Sequence, residues 1–390
     1  MNLPEIQAAI QAEGLDGWLF FDHHHRDALA YRILGLADSL HVTRRWYYFI
    51  PAHGEPRKLV HRIEAGHLDS LPGTKAAYSR WQEHRSRIGE LLKGAKRIAM
   101  QYSPECAIFY VSLVDGGTLE IIRSLGVEVV SSVDMVQHFE ARWTAAQFES
   151  HLEAGRRVDR VRREAFEQIA AKHRIGERVG EHKIQQFIAK RFHEEGLVFD
   201  SEAIVAVNEN ASNPHYSPEA AVNREIKQGD SVLIDMWAKL DQPDSTYYDI
   251  TWMGYCGAEP PSEYQNIFEV LRAARDKGVE RVQAAKAAKE DLRGYHVDDA
   301  VRGHIDARGF GQYFIHRTGH SIGTEVHGSG ANMDNFELHD IRRVIPWTCF
   351  SIEPGIYMAK VGMRTELNVF VEANSARSTG EVQERLVLVV

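Results

Sequence analysis

Two periodicities alternate along this chain. In the first 140 or so residues, short apolar runs read as strands: Gly17-Trp-Leu-Phe-Phe, Trp46-Tyr-Tyr-Phe-Ile, Lys58-Leu-Val, Arg97-Ile-Ala-Met and Val127-Glu-Val-Val. The turn Pro51-Ala-His-Gly-Glu-Pro predicts a hairpin between the second and third of these. The N-terminal segment reads as a short amphipathic helix running into the first strand, and Leu119 to Leu125 as another short helix. From Ala145 to Lys172 helical spacing persists with Gly155 as the one interruption, so a domain boundary is placed near Trp143, dividing the chain into 1–142 and 143–390. A second helix is predicted between Gly176 and Gly196, through Ile184, Phe187, Ile188 and Phe192. Strands follow at Ala203–Val207 and Ser231–Asp235, the latter paired with the segment Tyr247–Tyr255. Helices over Ser262–Lys289 and Val297–Arg308 lead back to strands around Cys349, around Glu366 and at Arg385–Val390. The second part therefore reads as two rounds of paired helices followed by strands, a faint internal duplication. The pattern is α+β, with a smaller α/β domain in front.

Length and charge narrow the function. At 390 residues two domains are expected. A formal net charge of −9 without a basic run argues against a nucleic-acid surface. Cys106, Cys256 and Cys349 lack metal-site or disulfide spacing, which fits a reducing compartment. The N-terminus has no basic stretch ahead of an apolar core, and no segment approaches the ~20 apolar residues that span a bilayer. The expectation is a cytoplasmic protein with neither membrane nor nucleic-acid partners.

Charges embedded in apolar words change the picture. Asp235 ends Ser231-Val-Leu-Ile-Asp, and Asp249 lies in Tyr247-Tyr-Asp-Ile-Thr-Trp-Met. Glu353 lies in Cys349-Phe-Ser-Ile-Glu-Pro-Gly, and Glu366 in Arg364-Thr-Glu-Leu-Asn-Val-Phe-Val. Burying one unpaired carboxylate costs several kcal/mol, so four on buried strands imply a shared counter-charge. With His320 in Thr318-Gly-His-Ser-Ile-Gly they suit two divalent ions. Such a pair of ions can turn a water into hydroxide and clamp a carbonyl, which makes a hydrolase the expectation.

The words Tyr248-Asp-Ile-Thr, Thr318-Gly-His-Ser-Ile-Gly, Ser351-Ile-Glu-Pro-Gly-Ile-Tyr and Met363-Arg-Thr-Glu, in this order, resemble those of the pita-bread metallopeptidases. That family includes prolidase, aminopeptidase P and methionine aminopeptidase, with creatinase as a metal-free relative. The resemblance spans Trp143 to the C-terminus and extends more loosely to a creatinase-type N-terminal domain, through Arg26-Asp-Ala-Leu-Ala-Tyr-Arg-Ile-Leu-Gly. It implies a C-terminal pita-bread catalytic domain and a homodimer. It also implies that Asp235 chelates one metal, that Asp249 and Glu366 bridge both, and that His320 and Glu353 complete the second. A bridging hydroxide would be the nucleophile and Glu353 the proton acceptor and donor. Manganese is the first expectation, with cobalt, iron or zinc as alternatives. By the same resemblance His327 would bond the scissile carbonyl or its oxyanion, and His215 would face the peptide. Arg342 would clamp a substrate carboxylate, with Arg343 as the competing choice. Arg364 would contact substrate or hold a ligating carboxylate, and Thr251 would support Asp249.

Some positions depart from the family pattern. Trp237 replaces a glycine two residues after Asp235, and Trp252 replaces an arginine. His327-Gly-Ser-Gly and Trp347 also differ. A longer Asp235–Asp249 connection, with a turn at Gln242-Pro-Asp, leaves Asp241 and Asp244 as competing ligands, Asp235 being preferred because it ends an apolar strand. The expected activity is prolidase-like cleavage of X-Pro dipeptides. An aminopeptidase P-like exopeptidase is the alternative, and so is a creatinase-fold hydrolase or lyase acting on a small metabolite. The run His23-His-His-Arg reads as a polar loop rather than a metal site, because adjacent side chains in an extended segment point to opposite faces.

Overall fold

The protein is described by a computed structural model covering residues 1–390. It divides into two compact units, Met1–Glu140 and Ala141–Val390, so the boundary falls two residues ahead of the expected one. In the first unit, strands β1 (Gly17–Asp22), β2 (Trp46–Pro51), β3 (Arg57–His61), β4 (Thr74–Tyr78), β5 (Arg97–Met100) and β6 (Glu128–Ser131) form one sheet in the order β4-β3-β2-β1-β5-β6. The predicted β2–β3 hairpin is present and antiparallel. Both faces are covered, which is why β1 and β2 are apolar without alternation. Trp18, Phe20, Trp46 and Tyr48 pack with helices α1 (Leu3–Ala12), α2 (Ala28–Leu34) and α5 (Val133–Glu140). Leu19, Phe21, Tyr47 and Phe49 pack with α3 (Trp81–Leu91) and α4 (Gly116–Ser124). His23–His25 occupy the bend after β1, where His24 and His25 have φ of 60° and 56°. The Asp22 carboxylate organises this bend, accepting from the backbone N–H of Arg26 at 2.7 Å and from the Tyr31 hydroxyl at 2.7 Å.

The second unit opens with α6 (Ala145–Arg174), started by a reciprocal cap between Thr144 and Gln147. After the two-residue strand β7 (Val179–Gly180) comes α7 (Glu181–Glu194), then β8 (Leu197–Val198), β9 (Ile204–Val207), β10 (Glu225–Ile226), β11 (Ser231–Leu240) and β12 (Tyr248–Tyr255). Helices α8 (Ser262–Ala288) and α9 (Gly294–Asp306) separate these from β13 (Ser321–Ile322), β14 (Cys349–Ile352), β15 (Gly355–Met358), β16 (Val361–Arg364), β17 (Leu367–Val371), β18 (Ala376–Thr379) and β19 (Val387–Leu388). One sheet runs β19-β12-β11-β8 with β9 also on β11, and another runs β13-β14-β17-β18. The first shares a core with α6 and α7, the second with α8 and α9. Each sheet thus has its own helix pair; the first is antiparallel apart from β19, which joins β12 in parallel.

Asn368 on β17 joins the two sheets. Its amide donates to the Asp249 carbonyl at 2.8 Å and accepts from the Asp249 N–H at 3.3 Å. The Glu366 N–H donates to the Thr251 carbonyl at 3.1 Å beside it. This seam brings the acids of β12 and of the β16–β17 junction together.

One buried histidine ties the opening helix to the far sheet. His151 on α6 meets the Tyr247 carbonyl at 2.6 Å and the Thr379 hydroxyl at 2.7 Å. Burial pushes its pKa from the ordinary 6.5 down to about 4. The folded ring stays neutral while the unfolded chain protonates, so the unfolded state binds more protons between those values. Stability should therefore fall as pH drops from about 6.5 to about 4, by on the order of 3 kcal/mol from this residue. Urea unfolding of wild type and His151→Gln across that range checks this. The variant's profile should be flatter, and parallel profiles would remove His151 as the cause.

Candidate metal centre and active site

Antiparallel register places the first acids. Asp235 on β11 lies opposite Thr251, and Trp237 opposite Asp249, so all four side chains share one face. The Gln242-Pro-Asp turn lengthens the connection without shifting this register, and the competing Asp241 and Asp244 are exposed at its tip. Glu366 immediately precedes β17 and Glu353 immediately follows β14, on neighbouring strands of the second sheet.

His320 completes the group. Its Nε2 stands 3.4 Å from Asp249 Oδ2 and 3.4 Å from Glu353 Oε1, and its Nδ1 faces the Ser321 carbonyl at 3.2 Å. Donation from Nδ1 to that carbonyl leaves the Nε2 lone pair turned toward the carboxylates, as a ligand requires. The loop is fixed from behind. Asp298 accepts from the Thr318 N–H at 3.0 Å, and Ser351 Oγ accepts from the His320 N–H at 3.0 Å. The same Ser351 hydroxyl donates to Glu353 Oε1 at 3.0 Å, so one side chain positions both residues. Gly319 is required here, since a Cβ would meet the Ser351 carbonyl oxygen at 1.9 Å.

The electrostatics calls for cations. Burial, then the neighbouring carboxylates, raises Asp249 and Glu366 well above the usual carboxylate range. Asp235 is pushed up to about 7 by burial, against the pull of Arg364. Glu353 goes the other way: burial raises it, but His320, His316 and Arg364 outweigh that and hold it low. Asp235 Oδ1, Asp249 Oδ1 and Glu366 Oε1 are buried without any hydrogen-bond partner. Buried polar atoms are seldom left so, and three carboxylate oxygens beside an imidazole nitrogen form a hard, oxygen-rich donor set. Asp249, His320 and Glu366 offer ligand atoms within 4.8 Å of one another. The residues fit divalent metal.

The cluster forms the floor of a cavity of about 610 Å³. Asp235, Asp249, His320, Glu353, Glu366, His327, His215 and Arg364 all line it, which brings together every expected site residue except one. Arg342 is the exception. It is buried, with Nε and Nη2 on Asp340 at 2.5–3.1 Å and Nη1 on the Ser329 carbonyl at 3.1 Å, and neither it nor Arg343 is in the cavity wall. The physical reason is Asp340, a fully buried carboxylate two residues away that needs this counter-charge.

Arg364 is held within the network. It donates to Asp235 Oδ2, to the Thr251 hydroxyl at 3.1 Å and to the Tyr357 hydroxyl at 2.9 Å. Thr251 supports Glu366 rather than Asp249, donating to Glu366 Oε2 at 2.8 Å. His316 reaches the Tyr357 hydroxyl at 2.7 Å and, with Arg317 and Asp200, lines the cavity. These were not anticipated as site residues. Tyr357 falls within the word that carries Glu353, and His316-Arg317 immediately precede Thr318-Gly-His, so their adjacency to motifs was the available signal. His327 stands edge-on to His320 at a ring separation of 4.3 Å, and burial first, with His320 beside it, brings its pKa to about 4. Its ring is therefore neutral near pH 7, with one N–H to donate.

Of the unusual tryptophans, only Trp237 borders the cavity. Trp252 packs under the Arg162 guanidinium at 3.4 Å on α6, and Trp347 stacks edge-on to Phe370 at 5.8 Å. Those two departures are core changes. His215 sits on the loop after β9, which is pinned to the hairpin β15–β16. Ser212 donates to the Met358 carbonyl at 2.5 Å, and a Cβ at Gly362 would meet the Ala211 carbonyl oxygen at 2.1 Å.

Comparison with known proteins agrees with this geometry. The chain is 27% identical over 285 residues to an Xaa-Pro dipeptidase of Pyrococcus furiosus, covering 69% of this chain and 76% of that one. It is 26% identical over 272 residues to a probable dipeptidase PepE of Mycobacterium tuberculosis, covering 70% and 67%. Among solved structures, dipeptidase PepE from Mycobacterium ulcerans superposes with a TM-score of 0.67 at 24% identity, covering 99% of this chain and 96% of that one. An X-Pro aminopeptidase from Thermotoga maritima gives 0.57 at 19% identity, over 96% and 98%. These neighbours share the α+β pita-bread fold. Residues 149–373 match the model of metallopeptidase family M24, and the chain belongs to that family of peptidases.

Proposed function

We propose that the chain is a dinuclear metal-dependent peptidase that hydrolyses short peptides, X-Pro dipeptides first among them. The observation that carries this reading is the set of partnerless buried oxygens on Asp235, Asp249 and Glu366 around His320 in the cavity floor. Asp235, Asp249, His320, Glu353 and Glu366 would hold two divalent ions, manganese first and cobalt, iron or zinc otherwise. When bound, such ions polarise a carbonyl oxygen and acidify water. Glu353, held ionised, accepts the proton of the attacking water and returns it to the leaving nitrogen. The neutral His327 donates to the carbonyl oxygen as negative charge develops on it. His215 lines the same cavity and would face the peptide, and Arg364 donates to Asp235. Arg342 is committed to Asp340 and is not offered to a substrate carboxylate. Similarity to a named Xaa-Pro dipeptidase supports the proline preference. The three free cysteines fit the cytoplasm, and no helix is long and apolar enough to cross a membrane.

Manganese-loaded protein should cleave Ala-Pro faster than a longer peptide beginning Ala-Pro. The reverse order would favour the aminopeptidase P-like alternative. No cleavage of either would shift the reading to a hydrolase or lyase acting on a small metabolite.

A further inference from the structure

Two carboxylates in the cavity wall, Asp200 and Glu337, have no part in the ligand cluster, and Glu337 accepts from the Arg317 backbone N–H at 2.9 Å. Asp200 lies between β8 and β9, and its Oδ1 accepts from the Trp237 indole N–H at 2.7 Å. A weak contact from the Ser201 hydroxyl at 3.4 Å reaches the same oxygen, and Oδ2 accepts no hydrogen bond. Asp200 makes no ion pair with an arginine or lysine of the chain. Asp200 lines the same cavity as the ligand cluster.

Trp237 makes this arrangement specific. Register opposite Asp249 turns its ring onto the cavity face, and the half-buried indole then presents a flat apolar surface beside a carboxylate held by its own N–H. A carboxylate next to an aromatic face is complementary to a cation carried on a short carbon stem. Of the other charged groups lining the cavity, Arg364 is bound to Asp235, and Glu337 accepts from the Arg317 backbone N–H.

We propose that Asp200, oriented by Trp237, receives an ammonium group of the substrate on the amino side of the scissile bond. This rests on the peptidase reading above and deepens it by naming the residue that selects for an ammonium, the α-ammonium or that of a lysine side chain, in the residue ahead of the cleaved bond. Asp200 is then a specificity residue and Trp237 a positioning residue.

The test uses the full-length manganese-loaded enzyme, its Asp200→Asn and Trp237→Phe variants, and three substrates: Ala-Pro, Lys-Pro and propionyl-Pro, which is Ala-Pro without its amine. Asp200→Asn should raise KM for an ammonium-bearing substrate roughly 10- to 100-fold with kcat nearly unchanged, and should leave kcat/KM for propionyl-Pro as in wild type. Loss on both dipeptides assigns the α-ammonium, and loss on Lys-Pro alone assigns the side chain. Trp237→Phe keeps the aromatic wall but frees Asp200, so it should raise the same KM by a smaller factor. Equal losses on all three substrates, or none, with wild-type metal content would overturn the proposal while leaving the peptidase reading intact. Absence of cleavage by wild type would overturn both.

Discussion

Glu353→Gln should lower turnover of an X-Pro dipeptide by about 10²–10⁴-fold, the usual range for loss of a general base. The substitution keeps the volume and the oxygen that accepts from Ser351, so the local packing survives. It removes the one carboxylate of the group that its surroundings hold low, the one suited to take a proton near neutral pH. Steady-state kinetics, with elemental analysis of the same sample, checks this: metal content should stay near wild type while kcat collapses. Activity within a few-fold of wild type would return the proton-transfer role to another residue. His327→Ala serves as the companion. It should also lower turnover with metal retained, and loss of metal there would make His327 a ligand rather than a substrate contact.

Glu366→Ala should cost the protein most of its metal. Glu366 Oε2 is fixed by Thr251 while Oε1 has no protein partner, and the side chain faces Asp249 across the seam between the sheets. A carboxylate shared by two ions cannot be removed without weakening both. Wild type should carry about two ions per chain and gain thermal stability when manganese is added. The variant should carry far fewer, show little such gain and be inactive. Unchanged occupancy by elemental analysis would take Glu366 out of the centre.

The metal group was legible in the sequence because it violates a local rule: an acid inside an apolar run must answer to something. Asp235, Asp249, Glu353 and Glu366 all announce themselves that way, and helical spacing located α6 to α9 within a few residues. What escaped was of another kind. The hairpin β15–β16 hides behind Glu353-Pro-Gly, which reads as a turn, and α3 is too polar to show a strong apolar stripe. The Arg342–Asp340 pair lies in an irregular segment, where two residues of separation carry no periodic signal and burial is invisible. Asp200 looks like an ordinary solvated residue ahead of a strand until its bond to Trp237 is seen. Charge pattern identifies residues that need a partner, but only the fold says which partner they find.

The tight approach of Gly362 to the chain at Ala211 divides the cavity into a welded side and an adjustable one. Any side chain at Gly362 would drive the His215 loop away from the hairpin that ends in Arg364, so altering that wall disturbs the catalytic floor with it. The Asp200 side chain, by contrast, is held by the Trp237 indole N–H and a weak Ser201 contact. Selection for new substrates, in nature or in the laboratory, would therefore accumulate changes around positions 200 and 237, where diversity is cheap, and leave the Gly362 side almost untouched.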